Sequence, residues 1–124
     1  MDTHVLVRWI TERKRLSGEQ RRVLEHVEQR REVVAISAMT LIEIASLGRG
    51  ARRSARETLE LLDGHPGLHV YPITIEIATE LAALIGGLRD PADCAIVATA
   101  RVHGLKLITS DQRIIQSKLV SVVE

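Results

Sequence analysis

Residues 90–111, DPADCAIVATARVHGLKLITSD, leave this chain few ways to fold. Asp90 stands directly before Pro91, an order typical of a helix start because aspartate caps the first turn and proline fits its first position. Apolar residues follow at helical spacing until Gly104, which predicts the end of the helix. Leu105–Thr109 is then typical of a short buried strand. A helix that leads directly into a strand predicts an α/β domain.

The acids of this stretch lie where such domains place their functional groups. Asp93 falls in the first helical turn, and Asp111 follows the predicted strand at its carboxyl end. Open α/β sheets bind ligands at that edge, so both carboxylates are candidate site residues. Structural roles remain open for each acid, because Asp90 and Asp111 could cap helices and Asp93 could simply favour the helix dipole.

Short apolar runs alternate with helical patterns through the rest of the chain. Val5, Leu6 and Trp9 are spaced like one face of a helix, and an exposed, highly charged helix is predicted after Ser17. This alternation predicts a three-layer α/β/α fold with a mainly parallel sheet. The further predicted strands are Val33–Ile36, Leu68–Pro72 and Leu119–Val123. Four further helices are predicted: one after Ser37, one over residues 57–63, one after Thr74 and one at QRIIQ after Asp111.

Length and composition limit the function classes. A chain of 124 residues with 45% hydrophobic content predicts one domain over residues 1–124. Seventeen basic and sixteen acidic residues give a net charge of +1. The chain has no Phe, one Trp and one Tyr, so it has too few aromatic rings to stack several bases. Any contact with nucleic acid is therefore expected to be largely electrostatic.

Cys94 is the single cysteine, which excludes a disulfide within the chain and, inside an apolar helix, predicts a buried thiol. We therefore expect a reducing compartment, the cytoplasm. The sequence contains no apolar run long enough to span a membrane and no pattern typical of a secretory signal.

Four acids share an unusual setting. Asp2, Glu43, Asp93 and Asp111 each lie at a strand–helix junction or within an apolar element that has few other charges. Carboxylates in such positions are costly unless a cation neutralises them, and their oxygens favour Mg²⁺ or Mn²⁺. A divalent ion of this kind suits the hydrolysis of phosphodiester bonds. Glu43 is the most informative of the four, because its own helix offers it no cation.

Four segments carry a resemblance to a known family. Asp2-Thr3-His4, SAMTLIEIA, DPADCAIVATA and LITSD together resemble a PIN domain, most closely the VapC-like toxins of toxin–antitoxin pairs. The resemblance implies a Mg²⁺- or Mn²⁺-dependent endoribonuclease that forms a homodimer and is inhibited by a cognate antitoxin. It also implies that four acids are catalytic: Asp2, Glu43, Asp93 and Asp111. Three of these would be metal ligands: Asp2, Asp93 and Asp111. Small hydroxyl residues and one further acid would support them: Thr3, Thr109, Ser110 and Asp90.

The sequence departs from the family pattern in two places. Only Met1 precedes Asp2, where the family has several apolar residues of a first strand, and Cys94 stands where relatives often have an arginine. We therefore expect other arginines to contact RNA phosphates, each through charge-assisted hydrogen bonds. The most basic segment supplies the candidates, although these side chains could also belong to a solvated loop: Arg49, Arg52, Arg53 and Arg56.

Two other functions remain open from the sequence. A PIN-like module with a shortened first strand could bind partners without catalysis. A phosphate-accepting receiver domain also groups acids around Mg²⁺, but it requires adjacent acids after the first strand, and Thr3 follows Asp2 here. Neither a GxxxxGK loop nor a GxGxxG fingerprint occurs, so nucleotide hydrolysis and dinucleotide binding are disfavoured.

Overall fold

A computed structural model describes residues 1–47 and 53–124. Along the described chain, one or two helices separate successive short strands, and the elements follow the predicted order. The helices are α1 (Thr3–Thr11), α2 (Gly18–Gln29), α3 (Ala38–Ala45), α4 (Ala55–Leu62), α5 (Ile75–Leu84), α6 (Pro91–Val102) and α7 (Gln112–Ser117), with a 3₁₀ turn at Arg13–Arg15; the strands are β1 (Val34–Ser37), β2 (Leu68–Tyr71), β3 (Leu107–Ile108) and β4 (Val122–Val123).

Side-chain caps explain where the helices begin. Ser37, Thr74 and Asp90 each accept a hydrogen bond from a backbone N–H in the first turn that follows, as the sequence predicts. Ser17 and Ser54 form complete capping boxes at the starts of α2 and α4. Because each cap satisfies N–H groups that otherwise have no partner in the helix, the local sequence determines these boundaries.

The strands form two parallel pairs. Strand β1 pairs with β2 with Val34 opposite Leu68, and β3 pairs with β4 with Leu107 opposite Val122. The chain start lies between the pairs, because the Met1 amino group donates to the carbonyl of Ala35 in β1 at 3.0 Å and the Asp2 N–H donates to Ile108 in β3 at 3.0 Å. Strands β3 and β4 are shorter than predicted, because each covers only two residues of the predicted ranges Leu105–Thr109 and Leu119–Val123.

Two apolar cores lie on opposite sides of the strands. Successive residues of a strand face opposite ways, so Ile108 joins the first core and Leu107 the second. Helices α1 and α2 cover the first core, where Leu6 and Trp9 are almost fully buried. Helix α6 lies in the second core and is buried continuously from Cys94 to Ala100. The three-layer α/β/α arrangement with parallel strands is thus the predicted one.

Helix α6 also confirms the prediction for the thiol. Cys94 is fully buried, and its Sγ lies 3.5 Å from the carbonyl oxygen of Leu88. Within residues 1–47 and 53–124, no helix has the length and hydropathy needed to cross a membrane.

Candidate active site

Four elements bring acids to the carboxyl ends of β1 and β3. Helix α3 follows β1 directly and carries Glu43, while Asp111 comes three residues after the end of β3 and caps α7. Asp2 caps α1 beside β3, and Asp93 lies in the first turn of α6. The fold therefore presents the four predicted acids at one end of the strand layer.

Thr109 joins two of these acids. Its hydroxyl donates a short hydrogen bond to Oδ2 of Asp2, and its Oγ1 accepts the N–H of Asp111 at 3.0 Å. Oδ1 of Asp2 accepts from the N–H of Val5 at 2.9 Å. Asp2 is 5% exposed and Thr109 is fully buried. Both carboxylate oxygens of Asp2 therefore have a hydrogen-bond donor, as a buried charge requires.

Glu43 is held by a second hydroxyl. The Thr3 hydroxyl donates to Oε1 of Glu43 at 2.5 Å and lies 3.2 Å from Oγ1 of Thr40. Thr3 follows Asp2 in the chain, so one turn of backbone at the start of α1 orients two acids. Among the residues described, Thr40 is one that the sequence analysis did not single out; its signal was its position three residues before Glu43, on the same face of α3.

A single guanidinium lies between the other two acids. Nη2 of Arg113 is 2.7 Å from Oδ2 of Asp111 and 3.3 Å from Oδ2 of Asp93. Nε and the backbone N–H of Arg113 also donate to Oδ1 of Asp111. Sequence reasoning missed Arg113, although its place two residues after Asp111, in the first turn of α7, was a visible signal. The two carboxylates thus lie close enough together to share one cation.

Asp93 and Asp111 differ in their electrostatic surroundings. Burial, together with the charges of Asp90, Asp111 and Glu43, raises the pKa of Asp93 to about 6, although the charge of Arg113 lowers it in part. The hydrogen bond from Arg113 instead lowers the pKa of Asp111. Two neighbouring acids therefore differ in proton affinity because only one has a close, well-aligned donor.

This difference predicts a pH-dependent stability. Between the ordinary pKa of 3.8 and about 6, the folded protein binds a proton at Asp93 that the unfolded chain has released. The free energy of unfolding in EDTA should therefore fall as the pH rises through this range. Asp93→Asn should remove this loss. In urea titrations, the free energy of unfolding of the variant relative to that of wild type should therefore rise by about 1 kcal/mol between pH 4.5 and 7.5. A constant difference between the two proteins would contradict the prediction.

The three predicted metal ligands do not form one compact cluster among the described residues. Among residues 1–47 and 53–124, no three His, Cys, Asp or Glu side chains are close enough together to hold one ion. The expectation that Asp2, Asp93 and Asp111 bind a single ion stays a prediction; in this structure Thr109 donates to Asp2, and Arg113 lies between the other two acids. The donor chemistry still fits Mg²⁺, which is commonly bound by one or two carboxylates and retained waters. Asp93 and Asp111 are such a pair.

Two other predicted supporting residues have structural partners. Asp90 caps α6 by accepting the N–H of Ala92 at 2.9 Å, although its charge also acts on Asp93. The hydroxyl of Ser110 accepts a 2.8 Å hydrogen bond from the buried side chain of Gln20, and its predicted support of the acids stays a prediction.

The predicted phosphate-binding arginines have mixed surroundings. Arg49 and Arg52 lie outside the described residues. Arg56 pairs with Glu60 one turn along α4 at 2.9 Å. Arg53 lines an open groove of about 890 Å³ together with basic side chains that the sequence analysis had not assigned to a site: Arg8, Arg13, Lys14 and Arg15. The described part of the chain therefore shows a basic groove at the C-terminal end of α1.

Comparison with known proteins agrees with this geometry. The PIN domain family profile matches residues 1–118. The chain is 31% identical over 119 residues to "Ribonuclease VapC22" from Mycobacterium tuberculosis, an alignment that covers 92% of this chain and 87% of that protein.

Solved structures share the fold at lower identity. The chain superposes on VapBC2 from Rickettsia felis bound to a promoter DNA fragment, with a TM-score of 0.72, 14% identity and coverage of 97% and 92% of the two chains. FitAcB from Neisseria gonorrhoeae gives a TM-score of 0.69 at 22% identity, with 99% and 94% covered. A toxin–antitoxin complex from Klebsiella pneumoniae gives 0.66 at 24% identity, with 99% and 93% covered. By its sequence match over almost its whole length, with a fold that agrees, this chain belongs to the PIN domain family.

Proposed function

We propose that this protein is a Mg²⁺- or Mn²⁺-dependent endoribonuclease and the toxin of a toxin–antitoxin pair. The observation that carries the proposal is one guanidinium nitrogen within 3.3 Å of both Asp93 and Asp111, at the sheet edge where this family is expected to cut RNA. A position between two carboxylates that accepts a guanidinium also suits a divalent metal ion, because both are positively charged. The relative named as a ribonuclease supports the same reading.

Each acid has a proposed role. Asp93 and Asp111 would hold the ion, and Asp2, oriented by Thr109, would complete the ligand set. When bound, the ion would lower the pKa of a water and stabilise charge on the phosphate. Glu43, fixed by Thr3, would orient the attacking water and accept its proton. Thr3 would hold the carboxylate of Glu43 in place, and Thr109 would hold that of Asp2. Neither hydroxyl would itself bind the RNA phosphate.

RNA would be held mainly through its phosphates. The groove that Arg53 shares with the basic residues of α1 and the 3₁₀ turn offers several guanidinium groups to a backbone. Arg49, Arg52 and Arg56 remain proposed contacts beside it. With only one Trp and one Tyr in the chain, base stacking contributes little, so cleavage should weaken steeply as salt concentration rises.

The proposed partners follow from the structural relatives. One of these is described as a toxin–antitoxin complex, which supports an antitoxin that covers this site. We also propose a homodimer and, from the buried thiol of Cys94, a reducing cytoplasm.

Metal removal tests the function. Purified protein should cleave single-stranded RNA with Mn²⁺ or Mg²⁺, and EDTA should reduce the rate by at least about 100-fold, since the ion supplies several kcal/mol of transition-state stabilisation. Added Mn²⁺ should restore cleavage. Undiminished cleavage in EDTA would contradict the proposal. A folded protein that neither binds Mn²⁺ nor cuts RNA would instead support a PIN-like binding module.

Arg113 should compete with the ion. We expect Arg113→Gln to tighten Mn²⁺ binding about fivefold, because the guanidinium no longer competes with the metal for Asp93 and Asp111. Calorimetric titration at pH 7.5 measures this directly. Arg101→Gln is the matched control, because Arg101 pairs with Glu80 rather than with the site acids and its loss should leave Mn²⁺ affinity unchanged. Equal affinities for wild type and Arg113→Gln would show that the guanidinium does not occupy the ion's place.

A further inference from the structure

Gln20 is a fully buried polar side chain on α2, a helix whose other polar side chains are exposed. A buried amide is costly unless both of its ends form hydrogen bonds. Here both ends do, because Oε1 accepts the N–H of Ser17 at 3.1 Å and Nε2 donates to Oγ of Ser110 at 2.8 Å. The N–H of Ser17 can only donate, so this contact fixes the orientation of the amide and directs Nε2 towards Ser110.

The first of these bonds belongs to the start of α2. Ser17 and Gln20 form a capping box, as Ser54 and Glu57 do at the start of α4. Glutamate serves equally well as the acceptor in such a box, and Glu57 is exposed. An ionised glutamate has no hydrogen to donate, so it could not form the second bond of Gln20. Helix capping therefore accounts for the carbonyl oxygen of Gln20 but not for its amide nitrogen or its burial.

The second bond reaches the segment that carries the candidate site. Ser110 lies between Thr109 and Asp111, and Gln20 precedes it by 90 residues in the chain. The hydroxyl of Thr109 donates to Asp2 and accepts the N–H of Asp111. Ser110 is itself exposed, so its position depends more on hydrogen bonds than on packing. The amide nitrogen of Gln20 therefore ties this segment to α2.

We propose that Gln20 is a positioning residue of the candidate active site: through Ser110, it holds the backbone that carries Asp111. The role of Asp111 as an ion ligand rests on the proposed function. Asp93 and Asp111 can share one ion only while their carboxylates keep a fixed separation. Loss of the bond from Gln20 would let the Asp111 backbone move but would leave both carboxylates and Arg113 chemically unchanged. Gln20 therefore contributes to ion binding without touching the ion.

Gln20→Met tests this proposal through the affinity for Mn²⁺. Methionine has the length of glutamine but no amide, so the bond to Ser110 is lost. Calorimetric titration at pH 7.5 should show Mn²⁺ binding weakened about fivefold, less than for the loss of a direct partner of a ligand, since Gln20 acts one residue away. Glu57→Met is the matched control, because it removes the same part of the other capping box and should leave Mn²⁺ affinity unchanged. Equal affinities in the two variants would overturn the proposal.

Ser110→Ala removes the same bond from its other end and leaves the cap of α2 intact. Ser110 is exposed, so this variant should fold even if Gln20→Met does not. It should weaken Mn²⁺ binding as much as Gln20→Met does, and the double variant should weaken it no further, because both changes remove one interaction. Ser110→Thr keeps the hydroxyl and should bind Mn²⁺ like wild type. Unchanged affinity in Ser110→Ala, or additive losses in the double variant, would also overturn the proposal.

Amide hydrogen exchange in EDTA separates this proposal from the proposed function. The N–H of Asp111 donates to Thr109 and that of Arg113 donates to Asp111, so both report on the position of this segment. Both should exchange at least about fivefold faster in Ser110→Ala than in wild type. If wild type binds no Mn²⁺, the proposed function fails, and the exchange rates still decide whether Gln20 holds the segment. Unchanged exchange in Ser110→Ala would show that it does not.

Discussion

Asp93→Asn is expected to lower the rate of RNA cleavage by about 1,000-fold, the equivalent of roughly 4 kcal/mol of transition-state stabilisation. Asparagine keeps the shape of the side chain but removes the negative charge. Asp93 is the acid whose pKa burial raises to about 6, and its side chain is only 14% exposed. The buried carboxylate of Asp93 lies beside Asp111 and the guanidinium of Arg113. We therefore expect Asp93 to bind the divalent ion that takes the place of this guanidinium.

The measurement is single-turnover cleavage of RNA in Mn²⁺ at pH 7.5, with far-UV circular dichroism as the check on folding. Asp63→Asn is the matched control, because Asp63 is an exposed residue at the end of α4, and its rate should equal that of wild type. Glu43→Gln should also lose activity, since its amide cannot accept a proton from water. Cleavage by Asp93→Asn at a tenth of the wild-type rate or faster would show that Asp93 is not a catalytic residue.

Thr109→Val should have the largest effect on stability among the substitutions at the candidate site, lowering the free energy of unfolding by about 2–3 kcal/mol. Valine matches threonine in shape, so packing is preserved and only the hydroxyl is lost. That hydroxyl is fully buried, donates to the charged Asp2 and accepts the N–H of Asp111. Its removal leaves one oxygen of a 5% exposed carboxylate without its donor, which is costlier than losing a bond between neutral groups.

Urea unfolding at pH 7.5 in EDTA measures this loss. Thr99→Val is the control for removing a buried hydroxyl whose partner is a neutral carbonyl, that of Ala95 at 2.7 Å, and should cost about 1 kcal/mol. Thr109→Ser keeps the hydroxyl and should retain most of the stability. If Thr109→Val costs no more than Thr99→Val, the hydrogen bond to Asp2 does not stabilise the fold.

The helices were predictable because their signals are local. Asp90 before Pro91, Ser37 before an apolar run and Thr74 before another each supply an acceptor for N–H groups two or three residues away. Such contacts form between near neighbours in the chain and hardly depend on the rest of the fold. The ends of β3 and β4 were less predictable, because a strand extends only as far as its partner continues the ladder. Here each covers two residues.

The sequence by itself determined the α/β class, the helix starts and the positions of the four acids, since residue type, spacing and capping are written in the local chain. Only the tertiary structure decided what those acids contact. Thr109 lies 107 residues from Asp2, and Thr3 lies 40 residues from Glu43. It also decided that Arg113 lies between Asp93 and Asp111, and that Met1 and Asp2 meet both β1 and β3. Such contacts require distant segments to pack together, so the direction of a charged side chain depends on neighbours that no local pattern specifies.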